Sequence, residues 1–274
     1  MLTLLAINWD IDPVILKFGF VQIRWYSIMF LIAFSIGYRI MRKIFAKEGR
    51  NEQQLEPLLY YLIAGTIIGA RLGHCLFYDP SFYLSNPLKI LAVWEGGLAS
   101  HGGALGIILS IVIYCKRHNE SFIWLTSRLT IPIALSAFFI RIGNLFNSEI
   151  VGHKTSVPWG MTFLRRTDLD LVPRHPTQVY EALAYLIVFV ILLVIYRSVK
   201  AKRADFLILG YFLVTLFTSR FLIEFFKIRQ ESYNSGLLLN TGQLLSIPFI
   251  LIGMVLLFIS FKNTKHERVE TLCK

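Results

Sequence analysis

Seven apolar stretches of roughly 20 residues most constrain the fold of this chain. A helix of that length crosses a hydrocarbon core of about 30 Å. Composition agrees, because 55% of the 274 residues are hydrophobic and only 16% are charged, against about 25% in a soluble domain. The sequence predicts an all-α integral membrane protein, a seven-transmembrane helix bundle with spans at residues 20–41, 57–77, 91–114, 122–146, 178–196, 206–226 and 242–261.

Lysines and arginines are concentrated in alternate loops between the predicted spans and in the C-terminal tail. Short basic loops stay in the cytoplasm, so we expect the N-terminus outside and the C-terminus inside. These loops explain much of the net charge of +11 without a nucleic-acid partner. The residues concerned follow spans one, three, five and seven: Arg42, Lys43, Lys47, Arg50, Lys116, Arg117, Arg197, Lys200, Lys202, Arg203, Lys262, Lys265, Arg268 and Lys274.

The longest loop, residues 147–176, connects spans four and five. Apolar residues such as Trp159 and Phe163 alternate with polar ones there, which favours an ordered cap that contains a strand. We expect a small extracytoplasmic head, inserted into one transmembrane catalytic domain over residues 1–274. Residues 1–19 are too short and interrupted to span, and are expected in the outer interface with Trp9, Phe18 and Phe20 at headgroup level.

Polar side chains close span four. Arg141 and Asn144 are three residues apart, hence neighbours on one helix face, and Asn147 and Glu149 follow. Charged and amide groups at membrane depth are costly, so they indicate a functional site. The alternative is an interfacial cap with snorkelling side chains.

Two further spans carry ionisable residues with two interpretations each. His101 stands among glycines and is either a packing histidine or a proton acceptor or hydrogen-bond donor for an anion. Arg220 and Glu224 share a helix face four residues apart. They are either a self-neutralising pair, or Glu224 orients Arg220 towards an anion such as phosphate.

Two other patterns are structural. Gly65, Gly69 and Gly73 recur at four-residue spacing, which predicts close helix packing in span two. The three cysteines, at 75, 115 and 273, show no disulfide or metal spacing. Spans two and four are the least secure, because Arg71, His74 and Arg128 interrupt them.

Arginines, amides, a histidine and carboxylates near the outer half of an apolar bundle suit a phosphate-bearing lipid. A lipid or small-anion transporter or flippase could use the same arginines. Charges placed towards one side, without repeat symmetry, count against that class.

Six segments of the chain form one ordered set: Arg24-Trp-Tyr26, Glu95-Gly-Gly with His101-Gly-Gly, Arg141-x-Gly-Asn144-x-x-Asn147-x-Glu149-x-x-Gly152, His175-Pro-x-Gln178-x-Tyr180-Glu181, Arg220-Phe-x-x-Glu224-Phe and Gly242-Gln-x-x-Ser246. Together, and in this order, they resemble the prolipoprotein diacylglyceryl transferase family of bacterial inner-membrane enzymes. After Glu224 this chain departs from the family, which often continues with arginine and a Pro-Asp turn, and Lys227 and Arg229 are the candidate substitutes for that arginine.

The resemblance implies transfer of the diacylglyceryl group of phosphatidylglycerol to the lipobox cysteine thiol in preprolipoprotein signal peptides. The products are a thioether and glycerol 1-phosphate. Arginines suit the leaving phosphate, and His101 is either the base for the thiol or a positioning group. Neither a metal nor a soluble cofactor is expected, and membrane lipids are the other partners. The implied catalytic residues are His101, Arg141 and Arg220, and the implied substrate-binding residues are Tyr26, Arg141, Asn144, Glu149, Gly152 and Glu224.

Overall fold

The structure, a computed structural model, consists mainly of long helices. It describes residues 7–19, 21–97, 99–199, 201–228 and 239–272. Two compact units divide the chain: a first unit of Met1–Arg39 with Leu129–Lys274, and a second unit of Ile40–Arg128. The helices are α1 (Trp25–Lys47), α2 (Leu55–Phe77), the short α3 (Pro80–Ser85), α4 (Ser100–His118), α5 (Phe122–Phe146), α6 (Thr177–Ser198), α7 (Ala201–Ile223) and α8 (Thr241–Leu272).

Five segments among the described residues are long and apolar enough to cross a membrane, judged by length and composition. Helices α1 and α4 are less apolar, since Arg39 and Arg42 interrupt α1, and α4 begins with His101 and two glycines. The predicted all-α integral membrane class is confirmed as a mostly helical, multi-pass protein. The five segments are Glu52–Phe77, Phe122–Phe146, Thr177–Ser198, Asp205–Phe226 and Thr241–Lys262.

The two spans that arginines made least secure are continuous helices. Helix α5 has the bounds that the sequence predicts, and α2 begins two residues earlier than predicted. Arg71 of α2 donates to the carbonyls of Lys89 at 2.6 Å and Ile90 at 2.9 Å. Arg128 of α5 is fully buried, and its Nε lies 2.7 Å from Oε1 of Glu48. Each buried cation therefore has partners that offset the cost of burial.

The predicted start of span one was wrong. Strands β2 (Val14–Phe18) and β3 (Val21–Arg24) pair antiparallel and form a hairpin before α1. Their connection includes Gly19 at a φ of 56°, in the left-handed region that favours glycine. Helix α1 therefore begins at Trp25, and Phe20, the predicted first residue, lies outside the described residues.

The predicted start of span three was also wrong. Two 3₁₀ turns, Pro87–Leu91 and Val93–Glu95, occupy the segment before α4. Gly96 and Gly97 follow with φ angles of 88° and 70°, which a right-handed helix excludes. Helix α4 starts only at Ser100. Hydropathy did not reveal this because the segment is apolar but not helical.

The glycines of α2 pack against α4, as their spacing predicts. A Cβ added at Gly102 would lie 2.8 Å from the Cα of Gly73, and one at Gly106 would lie 3.0 Å from the Cα of Gly69. Such distances leave no room for side chains on this face. The glycines around His101 therefore have a packing role in addition to any role near a substrate.

The segment between α5 and α6 forms a cap with the N-terminal strand. Strand β4 (Met161–Phe163) pairs in parallel with β1 (Ile7–Trp9). Trp9 packs against the small buried core of this cap. The buried core residues are Leu145, Val151, Met161 and Phe163.

A buried charge cluster as the candidate active site

Arg141 and Glu181 form the first ion pair of the candidate site. Arg141 lies near the end of α5, and Glu181 lies in the second turn of α6 with no exposed surface. Arg141 Nε is 3.1 Å from Glu181 Oε2, close but without the alignment of a hydrogen bond. Arg141 Nη1 also donates to Oδ1 of Asn144 at 3.2 Å. The guanidinium is thus oriented by a carboxylate and an amide.

Lys227 extends the pair into a chain of alternating charge. Its Nζ donates to Glu181 Oε1 and to Glu224 Oε2, both at 2.9 Å. Glu181 Oε1 also accepts the hydroxyl hydrogen of Tyr185 at 3.1 Å. We call Arg141, Glu181, Lys227 and Glu224 the charge cluster. Its four groups carry two positive and two negative charges, so they neutralise one another.

Arg220 adds a further positive charge beside the cluster. It acts electrostatically on Glu181, but within the described part of the chain its side chain forms no ion pair. The self-neutralising pair of Arg220 with Glu224 is therefore not formed. Glu224 instead starts a 3₁₀ turn and contacts Lys227 and the backbone at Gly242, where a Cβ would lie 2.6 Å from its carboxyl carbon. Arg220 and the four residues of the charge cluster together carry a net charge of +1.

The turn after α5 is strained and held by three side chains. Ser148 and Ile150 have φ angles of 53° and 56°, a conformation that costs about 1–3 kcal/mol for a residue other than glycine. Three successive carbonyls accept hydrogen bonds there: Ser148 from Arg166 Nη1 at 2.9 Å, Glu149 from Gln178 Nε2 at 2.5 Å, and Ile150 from Thr177 Oγ1 at 2.6 Å. Thr177, the first residue of α6, therefore binds this turn.

The turn places Glu149 beside the amides of its motif. Glu149 accepts hydrogen bonds from Asn144 Nδ2 at 3.0 Å and Asn147 Nδ2 at 3.1 Å. Tyr26 of α1 bonds the Asn144 side chain, and its ring lies against Gly143, where a Cβ would be 2.7 Å from ring carbon Cδ2. Five predicted site residues are thus connected by side-chain contacts. They are Tyr26, Asn144, Glu149 and Arg141, and Glu224 at the other end of the charge cluster.

Gly152 lies where two backbone segments approach closely. It pairs with Lys227 in an antiparallel bridge. A Cβ there would lie 2.6 Å from the Cβ of His175 and 2.7 Å from the carbonyl oxygen of Phe226. The glycine therefore lets the backbone that bears Lys227 approach the cap.

A hydrogen-bonded chain links the cap to the start of α6. Trp159 Nε1 donates to the hydroxyl of Tyr180 at 2.8 Å, and that hydroxyl lies 3.0 Å from Nδ1 of His175. Partial burial and the neighbouring His153 lower the pKa of His175. Neutral His175 can accept from Tyr180, so this chain is formed at neutral pH.

His101 belongs to the second unit. It is the second residue of α4, and its side chain is exposed. The preceding segment is fixed by Arg71, which donates to the carbonyl oxygens of Gly96 and Gly97. Over the described ranges, no group of three or more histidine, cysteine or acidic side chains is arranged to hold a metal.

Comparison with known proteins decides the family. A family model described as prolipoprotein diacylglyceryl transferase matches residues 13–259. The chain belongs to the prolipoprotein diacylglyceryl transferase family. Its relatives include the phosphatidylglycerol–prolipoprotein diacylglyceryl transferases of Tolumonas auensis, 47% identical over 93% of this chain and 98% of the relative, and of Chloroherpeton thalassium, 46% identical over 96% and 98%. The protein of the same name from Porphyromonas gingivalis is 46% identical over 96% of this chain and 98% of its own length.

Two members of the charge cluster were not among the predicted site residues of this family member. Glu181 was recognised only within the His175–Glu181 motif, and Lys227 only as a departure from the family pattern. The spacing of Glu224 and Lys227, three residues apart, was the local signal for a pair. The contact of Lys227 with Glu181 joins residues 46 positions apart and had no local signal.

Proposed function

We propose that this chain transfers the diacylglyceryl group of phosphatidylglycerol to the lipobox cysteine thiol of a preprolipoprotein. The names of relatives that match almost the whole chain support the activity and both substrate classes. The observation that carries the assignment to this site is the mostly buried Arg141, whose guanidinium is oriented by Glu181 and Asn144. A cation held in this way suits the phosphate of an anionic lipid.

The reaction forms one bond and breaks one bond. The cysteine sulfur attacks the carbon of the acylated glycerol that is bonded to the phosphate oxygen, and a thioether forms. The carbon–oxygen bond to phosphate breaks, its electron pair leaves with the oxygen, and glycerol 1-phosphate is released. The thiol proton passes to a base, because thiolate is the nucleophile.

Arg141 and Arg220 are the proposed catalytic cations. The leaving oxygen gains negative charge as its bond to carbon breaks, and fixed positive groups stabilise such charge in a water-poor site. Arg141 and Arg220 carry positive charge that suits the single negative charge of a phosphodiester. Tyr26, Asn144, Glu149, Gly152 and Glu224 are the proposed substrate-binding residues, acting directly or by holding the arginines in place.

His101 is proposed as the base or as a positioning donor, and the two roles predict different behaviour. A base gives the transfer rate a pH dependence near its own pKa, because only neutral imidazole accepts a proton. A positioning donor is partly replaced by glutamine, which retains a hydrogen bond but does not titrate. The measurement is peptide lipidation against pH for the wild type, His101→Gln and His101→Ala. If the three proteins have the same lipidation rate and the same pH dependence, His101 has a packing role only.

We further propose seven transmembrane helices in the bacterial inner membrane, in one catalytic domain over residues 1–274. The N-terminus is placed outside, the C-terminus inside and residues 147–176 in an extracytoplasmic head, because the basic joints all fall on one side. Cys273 and Lys274 lie outside the described residues. Because the C-terminus is proposed to be cytoplasmic, an impermeant thiol reagent should label Cys273 only after cells are permeabilised. Labelling of Cys273 in sealed cells would reverse this orientation.

The function is tested by incubating the purified protein with phosphatidylglycerol vesicles and a lipobox peptide, and then measuring the peptide mass. The expected mass gain is one diacylglyceryl group, with release of glycerol phosphate. A peptide with serine in place of the lipobox cysteine is the matched control and should stay unmodified. An unchanged cysteine peptide would reject the transferase. Lipid movement across the vesicle without such a mass change would favour a flippase.

A further inference from the structure

Lys227 is a buried lysine with two carboxylate partners. Only 6% of its side chain is exposed, and its Nζ lies 2.9 Å from an oxygen of Glu181 and 2.9 Å from an oxygen of Glu224. Burying an ammonium group is costly unless anions and hydrogen bonds compensate for lost water. Two carboxylates meet that need, so the position is built for a cation.

The backbone around Lys227 is fixed independently of its side chain. Phe226 accepts a hydrogen bond from the backbone N–H of His153 at 2.8 Å, and Ile228 donates to the carbonyl of Val151 at 3.3 Å. Lys227 itself pairs with Gly152 across this short bridge. Because the backbone is held, the ammonium group reaches Glu181 from a defined direction.

The contacts of Glu181 show how Lys227 acts on Arg141. Oxygen Oε1 of Glu181 accepts from Lys227, while Oε2 faces Arg141 Nε at 3.1 Å. With Lys227 absent, Glu181 Oε1 would keep only the hydroxyl of Tyr185, and no lysine would share the negative charge of Glu181 with Arg141. A carboxylate can bind an arginine with both oxygens and neutralise it. Lys227 therefore preserves the capacity of Arg141 to bind another anion.

We propose that Lys227 is a positioning residue that acts through Glu181 to keep Arg141 available for the lipid phosphate. This inference rests on the proposed function of the site. Arg141, Lys227 and Arg220 together with Glu181 and Glu224 sum to +1, and removal of Lys227 reduces this sum to 0. A phosphodiester with one negative charge is attracted more strongly in the first case. Lys227 contacts the glutamates rather than the substrate.

The test compares four variants in lipid nanodiscs, with KM for phosphatidylglycerol and kcat read from peptide mass. Lys227→Met should raise KM about tenfold or more and change kcat less, because an electrostatic contribution to lipid binding is lost. Lys227→Arg should stay near the wild type. Glu181→Gln combined with Lys227→Met restores the sum of +1 over these five residues but places a neutral amide beside Arg141, so its KM should fall well below that of Lys227→Met. Lys154→Met removes an exposed lysine paired with Asp170 and should change neither constant.

A role in packing alone would not give this pattern. The midpoint of thermal unfolding is measured for every variant, and retention of phosphatidylglycerol is measured by native mass spectrometry. An unchanged KM in Lys227→Met overturns the proposal. So does a folded double variant whose KM stays high, since charge restoration would then have failed. If Lys227→Met does not fold, the double variant and Lys227→Arg decide by the same criteria.

The proposed function and the role of Lys227 fail in different ways. A wild-type protein that leaves the lipobox peptide unchanged rejects the transferase. Lipid retention still tests Lys227 in that case, because it needs no chemistry. Equal retention of phosphatidylglycerol by the wild type and Lys227→Met would overturn the positioning role alone.

Discussion

The two ends of α5 carry arginines with different partners. Near its start, Arg128 binds Glu48 through two nitrogens, with Nε 2.7 Å from Oε1 and Nη2 3.2 Å from Oε2. Near its end, Arg141 contacts one oxygen of Glu181, whose other oxygen accepts from Lys227. The first arginine has a carboxylate bound to it by both oxygens, and the second shares one with another cation. A shared carboxylate leaves positive charge for a ligand, which distinguishes a candidate site from a structural ion pair.

Replacing each arginine by lysine should have the largest effect and separates the two ends. Arg141→Lys keeps the charge but loses the planar fork that contacts Glu181 and Asn144 together. The transfer rate should fall by about 100- to 1,000-fold, the typical effect of losing one group that stabilises developing negative charge. Arg128→Lys is the matched control and should transfer at the wild-type rate per folded molecule. A near-normal rate in Arg141→Lys would reduce Arg141 to an interfacial anchor.

Replacing the arginines by leucine tests the same comparison through stability. Arg128→Leu leaves Glu48 partly buried without its main cation and should lower the free energy of unfolding by about 3–5 kcal/mol. Arg141→Leu should cost less, because Lys227 still neutralises Glu181. Unfolding in denaturant measures both, and Glu48→Leu with Arg128→Leu should recover most of the loss. Equal losses for the two single variants would contradict the sharing of Glu181.

The strained turn beside Arg141 should respond to loss of a single hydrogen bond. Thr177→Val removes the donor to the Ile150 carbonyl at nearly constant volume and should cost about 1–3 kcal/mol in unfolding free energy. Thr66→Val is the control, since Thr66 donates to Leu62, four residues earlier on its own helix. That carbonyl keeps its helical partner, so the control should lose less. The comparison fails if both variants lose the same stability.

The cap should show the smallest effect, and only in acid. The hydrogen bond from Arg166 lowers the pKa of Asp168 to about 2 from an ordinary value of 3.8. Because this pKa is depressed by folding, the ionised carboxylate stabilises the cap above about pH 4, and the contribution is lost as pH falls towards 2. Pepsin should therefore cleave within residues 153–173 faster at pH 2 than at pH 4. In Asp168→Asn the two rates should differ less.

Sequence reasoning succeeded where local pattern decides the structure. Helix α5 follows from its apolar run and the polar residues that end it, and the α2 glycine spacing predicts its close packing. It failed at the starts of α1 and α4, because a hairpin and two glycines with positive φ occupy apolar sequence. Hydropathy measures how apolar a segment is, but it does not report the backbone conformation of that segment.

The candidate site shows the same limit for side chains. Arg141, Asn144 and Glu149 are close in sequence, and their contacts follow from helix spacing. The ion pair of Glu181 with Lys227 depends on how α6 meets the segment after α7, which no local pattern specifies. The self-neutralising Arg220–Glu224 pair, one of two interpretations of that spacing, is not formed, because a lysine three residues further along reaches Glu224.

The central claim is that Arg141, oriented by a carboxylate that it shares with Lys227, binds the phosphate of an anionic lipid. Native mass spectrometry of the purified protein, offered equal amounts of phosphatidylglycerol and zwitterionic phosphatidylethanolamine, tests it most directly. The wild type should retain phosphatidylglycerol in preference, Arg128→Lys should do the same, and Arg141→Gln should lose the preference. Arg141→Gln that retains phosphatidylglycerol as selectively as the wild type would contradict the claim.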